Sequence, residues 1–346
     1  MYKILFLVGS MNQTTQMHKI ARELPGMDCW FSQTYSDSWM AQILIKRTEI
    51  LDNTILSGQF KRNTDQYLRD HHLQVDYEGK LNTYDMVFHC TDMVLPKALL
   101  KSKTVWIQEG MVDPFTWKSA LVKKMGLPLW MTNDTSLNGT SNGCDLYFVG
   151  SQGYKEHFAK LGTEASKIFV TGMPNYDDVK RFLQNDFPHK GYVMVATSDI
   201  RETARKDNRI EFIQDCVRIA SGRPLLFKLH PNERVDRASE EIRAHTPSDT
   251  LIFSRGNTNE MIANSVELIT QYSTVVYIGM ALGLPVHSYF NLEELRTLCP
   301  IQNNGRSAKA IAKICSDFLD FKEEKSNFVR QYHSVQECPD LALEKI

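Results

Sequence analysis

Lys228 and His230 lie two residues apart in PLLFKLHPNE, residues 224–233, and this spacing is a strong chemical signal in the chain. The apolar run Leu225–Phe227 is too short for a helix and is bounded by Gly222 and Pro231, so it predicts a buried strand. Pro231 has no N–H to give the ladder and stops it. Lys228 and His230 then share one face at the carboxyl end of the strand, the edge where open α/β sheets bind ligands. A helical pattern runs from Glu233 to His245, and its start adds partial positive charge. A cation, an imidazole and a helix dipole meeting there can hold a phosphate. The plainer reading is a histidine satisfied within a turn.

Further candidates occupy equivalent positions. The strand Tyr192–Thr197 (YVMVAT) opens into a loop with Arg201, Arg205 and Lys206, which is either an anion site beside His230 or a solvated turn. Gln271-Tyr272-Ser273-Thr274 follows the strand Val266–Thr270 and leads into a helical run, VVYIGMALG. In the first half, KTVWI (103–107) ends in Gln108-Glu109-Gly110-Met111-Val112-Asp113-Pro114. A carboxylate just past a buried strand suits acid/base work, which singles out Glu109 and, behind it, Asp113. Asp113 can equally cap a helix beginning near Phe115.

The elements that position these residues follow in order. Residues 2–9 predict a first strand, then a small-residue loop, Gly9-Ser10-Met11-Asn12-Gln13-Thr14-Thr15, and a helix through Leu24. This opens a doubly wound domain without a GxGxxG fingerprint. Strands are expected at 28–31, 84–90, 145–149 and 167–171, with one or two surface helices in 37–72. Thr91, Asp92 and Met93 sit at the carboxyl end of the strand at 84–90. Residues 115–131, FTWKSALVKKMGLPLWM, mix aromatics and aliphatics with three lysines. Such a stretch either packs on the sheet with its lysines solvated, or rests on a membrane or holds a lipid-linked acceptor. The polar loop 132–144 is expected to be a mobile cover. A chain break between domains is expected at 185–190. The second half then adds helices at 208–220 and from 258, strands at 250–253 and 284–287, and amphipathic helices at 306–320 and 325–346.

Composition narrows the class. At 346 residues the chain can build two domains, and 42% hydrophobic with 23% charged residues describes a soluble globular protein. Forty basic and 41 acidic residues leave no general attraction to nucleic acid. Seven cysteines without a CxxC pair read as reduced, mostly buried thiols rather than metal ligands. KILFLVG at 3–9 is too short for a signal sequence, and no apolar run reaches the length of a membrane span. The expected location is the cytoplasm, with any membrane contact peripheral.

In the order KIFVTGMPNYD, linker, YVMVATSDIRET, PLLFKLHPNE and LITQYSTVVYIGMALGLPV, the second half resembles that of GT-B glycosyltransferases. The similar branch holds CDP-glycerol glycerophosphotransferases, Kdo and capsule transferases, and UDP-N-acetylglucosamine 2-epimerases. The resemblance spans about residues 145–290; the first half agrees in architecture only. It implies that His230-Pro231 and Ser273-Thr274 touch donor phosphates, which suits hydroxyls and N–H groups at a helix start. Three departures stand out. Ile278 replaces a glutamate that holds the donor ribose in many relatives. Asp199-Ile200-Arg201-Glu202-Thr203 replaces a His-Arg-Arg-Glu-Asn-like stretch of the epimerases. Gly-Ser-Met-Asn-Gln replaces their Gly-Thr-Arg-Pro-Glu loop.

The resulting expectation is an α/β protein of two Rossmann-like, doubly wound parallel-sheet domains facing a cleft. Residues 1–187 form an acceptor-side domain and 188–322 a nucleotide-sugar-binding domain; a helical tail, 323–346, crosses back to the first. The implied activity is glycosyl or polyol-phosphate transfer from a nucleotide-activated donor to a saccharide or lipid-linked hydroxyl in surface-polysaccharide synthesis. His230, Lys228, Arg201, Arg205, Ser273 and Thr274 would stabilise the leaving phosphate. Pro231, Asn232, Glu233, Gln271 and Tyr272 would line the donor site. Glu109 would deprotonate the acceptor, implying inversion, and no metal or cofactor beyond the donor is expected. A nucleotide-sugar 2-epimerase, a nucleotide-sugar hydrolase and a non-catalytic nucleotide-sugar-binding protein remain as alternatives.

Overall fold

The chain begins with KILFLV in β1 (Lys3–Val8), whose last five residues are all buried. An apolar run without alternation marks a parallel strand covered on both faces. In the computed structural model, which describes residues 1–37, 43, 55–132, 134–198, 200–201 and 207–336, the pattern recurs in each central strand. After β1 come α1 (Met11–Arg22), β2 (Asp28–Gln33), α2 (Gly58–Asp70), β3 (Met86–His89), β4 (Lys103–Ile107), α3 (Trp117–Lys124), β5 (Leu146–Val149), α4 (Gln152–Lys160) and β6 (Ile168–Val170). These six strands form one parallel sheet in the order β2-β1-β3-β4-β5-β6.

A second sheet is built from β7 (Tyr192–Ala196), α5 (Arg209–Ala220), β8 (Leu225–Lys228), α6 (Val235–His245), β9 (Leu251–Phe253), α7 (Thr258–Ala263), β10 (Ser265–Thr270), α8 (Val276–Ala281), β11 (Val286–His287) and α9 (Leu292–Leu298). Its order is β11-β10-β7-β8-β9, again all parallel. The winding reverses between β1 and β3 in the first sheet and between β7 and β10 in the second. Such reversal points leave a crevice outside the carboxyl ends of the strands.

The chain divides into two units, Met1–Asp177 with Asn303–Ile346, and Asp178–Gln302. The break therefore falls before the expected 185–190, and residues 303–322 join the first unit instead of the second. Asp177 explains this. Its carbonyl accepts from Asn303 N at 2.9 Å and its carboxylate from Ser307 N at 2.9 Å, at the start of α10 (Ser307–Asp320). A carboxylate there also complements the helix dipole. α10 and α11 (Lys325–Gln336) then pack on the first sheet, where Ile311, Cys315, Phe318, Phe328 and Val329 share a core with Ile4, Phe6, Phe31 and Phe88. Lys103 Nζ closes the far end of α10 by donating to the carbonyls of Phe318, Leu319 and Phe321.

Two stretches differ from expectation. The helix predicted over 115–131 ends at Lys124, because Gly126 takes φ +62° and Pro128 follows. The described part of 132–144 is an anchored loop. Gly139 N and Ser141 N donate to Asp92 at 2.8 and 2.9 Å, and Asn138 Nδ2 to the Cys90 carbonyl at 2.9 Å. Gly139 lies so close to Trp106 that a Cβ would come within 2.8 Å of the ring. Of the expected helices in 37–72, Gly58–Asp70 is present; 38–42 and 44–54 lie outside the described residues, as does the tail beyond 336.

Phe318 has 0% exposure. Phe318→Ala should therefore cost about 3–5 kcal/mol. Native-state hydrogen exchange should register the loss in β1–β6 and spare β7–β11; equal loss in both sheets would refute the assignment of α10 to the first unit.

Candidate functional site

In the first unit, the chemistry gathers at the start of α1. Ser10 is its N-cap: its Oγ accepts from Gln13 N at 3.1 Å, satisfying an otherwise orphan donor. The same hydroxyl donates to Glu109 Oε1 at 2.8 Å, and Gln13 Nε2 donates to Glu109 Oε2 at 2.6 Å. Asn12 Nδ2 holds the Glu109 carbonyl at 2.8 Å and Gln16 Nε2 the Gln108 carbonyl at 3.0 Å. One helical turn thus grips the residues leaving β4. The turn is in turn fixed by the loop after β6, where Asn175 Nδ2 donates to Asn12 Oδ1 at 2.7 Å and Lys19 Nζ to the Pro174 carbonyl at 2.7 Å. Burial raises the Glu109 pKa, opposed by the donors from Gln13, Ser10 and Asn12. A carboxyl so held keeps its proton to higher pH than an ordinary glutamate, which suits acid/base work.

The other carboxylates of this edge are committed to loops. Asp113 Oδ2 accepts from Thr135 N at 3.0 Å and Thr135 Oγ1 at 2.8 Å, joining two loops. It does not cap α3, whose N-cap is Thr116 with Ser119 bonding back to Thr116 N at 3.0 Å. Asp92 is 8% exposed and carries the loop at 139–141; burial raises its pKa. His89 below it is fully buried. Its Nδ1 lies 2.9 Å from the Thr91 carbonyl and its Nε2 3.3 Å from Cys144 Sγ, and burial lowers its pKa to about 4. Nδ1 therefore carries the proton and the imidazole is a neutral brace.

In the second unit, His230-Pro231-Asn232-Glu233 forms a turn closed by Glu233 N donating to the His230 carbonyl at 3.0 Å. Proline at the second position presets its φ. Asn232 N donates to His230 Nδ1 at 3.3 Å, so the neutral ring keeps its proton on Nε2. The strand Leu225–Lys228 and this turn bring Lys228 and His230 to the same edge, but the two side chains do different work. Lys228 is 5% exposed and its ammonium donates to the carbonyls of Leu229 at 2.9 Å and Ser254 at 3.2 Å. Burial lowers its pKa, opposed by Glu233. It straps strand ends together rather than facing a ligand.

Glu233 and Arg201, expected at the donor, also turn inward. The Glu233 carboxylate accepts from Thr197 Oγ1 and from His230 N at 2.8 Å, and pairs with Arg209 at 2.8 Å. Arg209 reaches Asp207 at 3.1 Å, and Arg201 lies 3.7 Å from Asp207 while gripping Glu241 through two bonds of 2.9 Å. That grip holds the Glu241 carboxyl below the ordinary range. Gln271 is fully buried and donates to Asp207 at 2.9 Å. Of the expected phosphate cations, Arg201 is thus paired with Glu241 and Asp207, and Lys228 is held by carbonyls. Thr197, Asp207, Arg209 and Glu241 were not singled out by sequence, since the pairs form across distant segments; a buried arginine opening α5 gives no local pattern. Arg205, with 202–206, lies outside the described residues.

The loops at the reversal point are joined. Ser198 Oγ meets Tyr272 N at 3.3 Å, and the neighbouring Thr197 Oγ1 accepts from His230 N at 3.1 Å. Ser273 and Thr274 are half-buried and precede α8, which is only six residues long, so its dipole is short. Tyr272 is 45% exposed, Pro231 is exposed and Asn232 half-buried; these with His230, Ser273 and Thr274 are the predicted donor residues that remain accessible. Ile278 is fully buried under Gly279, where a Cβ would come within 2.7 Å of Leu268. Among the described residues no group of three or more His, Cys, Asp or Glu could hold a metal ion, and no helix is long and apolar enough to cross a membrane.

No family model matches the chain, and no curated protein matches it in sequence. Solved structures do match. The UDP co-structure of MnaA from S. aureus is 14% identical, with TM-score 0.53 over 96% of this chain and 90% of that one. UDP-N-acetylglucosamine 2-epimerase from Rickettsia bellii is 12% identical, with TM-score 0.52 over 92% and 97%. UDP-GlcNAc 2-epimerase from Neisseria meningitidis, solved with UDP-GlcNAc, is 14% identical, with TM-score 0.50 over 98% and 92%. The chain has their fold. It is the two-domain, Rossmann-like GT-B architecture, and at these identities the likeness extends to fold alone.

Arg209→Leu should leave Glu233 buried without its paired arginine and cost about 3–5 kcal/mol by denaturant unfolding. A loss indistinguishable from that of the exposed Arg296→Leu would show that the network carries no weight. Glu109 sets a second test. Its folded pKa lies above the ordinary glutamate value of 4.5, so the folded chain holds this proton longer than the unfolded one. Its contribution is complete at low pH and is lost as pH rises through the folded value. Glu109→Gln should therefore flatten the decline in stability above pH 4.5; parallel curves for mutant and wild type would exclude a raised pKa.

Proposed function

We propose that this chain is an enzyme acting on a nucleotide sugar, and that it changes configuration at a sugar carbon. The observation that carries this reading is Glu109, a carboxyl of raised proton affinity held by Ser10 and Gln13 at the reversal point of the first sheet. Changing configuration at a carbon without exchanging its heavy substituents requires its C–H bond to be broken and a proton returned from the opposite face, and a carboxyl of raised proton affinity can carry one of those two transfers. The fold shared with UDP-GlcNAc 2-epimerases supports the same substrate class. In the second unit, His230 Nε2 and the groups at Ser273-Thr274 would meet the diphosphate as hydrogen-bond donors. Their fixed orientation would favour charge growing on a leaving phosphate.

Transfer to a hydroxyl acceptor remains the second reading, and one observation favours it. Asp199-Ile200-Arg201 stands where the epimerases carry histidine. Under this reading Glu109 would deprotonate the acceptor.

The two readings separate in heavy water. Incubated with UDP-GlcNAc and no acceptor, the wild type should introduce solvent deuterium at the sugar carbon, followed by proton NMR. Glu109→Gln should lower that rate by about 10²-fold or more. Turnover only with an added saccharide acceptor, without deuterium at carbon, would replace epimerisation by transfer; release of free sugar would replace both by hydrolysis.

A further inference from the structure

The short helix α3 is inverted relative to an ordinary surface helix, which turns its apolar stripe inward. Trp117, Leu121 and Met125 recur at four-residue spacing and so form one stripe. They are 72%, 46% and 61% exposed. Phe115 and Met131, on either side, are 40% and 48% exposed. The inward face is carried instead by Ser119 and Val122, both buried. Ser119 Oγ bonds Ser136 Oγ at 2.8 Å, and Lys123 Nζ donates to the Leu161 carbonyl, so the helix is fastened with its apolar stripe outward.

Charge selects the occupant. Lys118, Lys123 and Lys124 are exposed on this stretch, and no Asp or Glu occurs from Pro114 to Thr132, in a chain whose net charge is only −1. The flanking acids are engaged elsewhere, Asp113 with Thr135 and Asp134 with Ser136. A second copy of the chain is a poor match, because a twofold contact would set these lysines against themselves. Eight residues cannot span a bilayer, but they can lie in its plane with aromatics at headgroup depth and lysines beside anionic lipid.

We propose that the α3 face docks on an anionic lipid bilayer. Trp117, Leu121 and Met125 insert among the headgroups, and Lys118 and Lys124 supply attraction worth about fivefold each. This surface is independent of the catalytic reading.

The test is flotation of the full-length protein with phosphatidylglycerol/phosphatidylethanolamine vesicles and with phosphatidylcholine vesicles. Wild type should float with the anionic vesicles and much less with the neutral ones. Trp117→Glu should weaken partitioning by about tenfold or more, and Lys118→Gln or Lys124→Gln by about fivefold each. Melting temperatures should not change, because these side chains are solvent-facing; Leu121→Ala serves as a milder variant should Trp117→Glu perturb folding. Absence of flotation, or equal flotation of wild type and variants, would overturn the proposal. So would a wild-type dimer in sedimentation equilibrium that Trp117→Glu dissociates without any lipid binding, since the stripe would then be a contact between copies.

Discussion

The second unit depends on one ion pair, Arg209 with Glu233, whose side chains are 4% and 0% exposed. A carboxylate that deep must be neutralised and hydrogen-bonded or the unit cannot hold it. Glu233 lies beneath the turn that presents His230, and its other oxygen receives Thr197 Oγ1 and His230 N. The pair thereby fixes the loops after β7 and β8 relative to each other, and Gln271 extends the connection through Asp207 to the loop after β10. Placement of the imidazole follows from satisfying a buried charge.

The same constraint explains what could and could not be read from sequence. Each described strand overlaps a stretch read as strand, because burial on both faces leaves an uninterrupted apolar run that needs no partner information. The position of His230 at a strand end was legible for the same reason, since Pro231 stops the ladder. The fate of Lys228 was not. Whether an ammonium faces a ligand or two carbonyls depends on Ser254, which approaches it only in the folded sheet. Asp177 is similar: nothing nearby marks it as the residue that ties Asn303 and Ser307 to the first unit. The loop at 132–144 looks mobile by composition, yet its polar groups are those needed to satisfy Asp92 and the Cys90 carbonyl.

The two reversal points solve opposite electrostatic problems. Among the described residues of the second unit, Arg209 and Arg201 pair with Glu233, Asp207 and Glu241, while an imidazole and two hydroxyls stay accessible. In the first, the described residues that bond the carboxyl are neutral donors, Ser10, Gln13 and, through the carbonyl, Asn12. Such partners stabilise the anion less than an arginine would, so burial prevails and the proton is held more tightly. Ser10 carries both burdens, capping α1 and meeting Glu109 with one hydroxyl. Folding the helix and orienting the carboxyl are therefore a single event.

A chain with 40 basic and 41 acidic residues has no strong overall field to gather anions, so attraction has to be local. Among the described residues of the second unit, Arg201 and Arg209 are spent on Glu233, Asp207 and Glu241. Recognition of a diphosphate there, in the proposed reading, would rest on oriented dipoles, whose contribution depends on geometry and is little screened by salt. The stretch from Pro114 to Thr132 is the converse case. Its lysines are exposed, lack intervening acids and are backed by an outward apolar stripe, so its attraction is long-ranged and salt-sensitive. On the two proposed readings, the chain would keep two kinds of anion contact apart, one resting on oriented dipoles and one on exposed lysines.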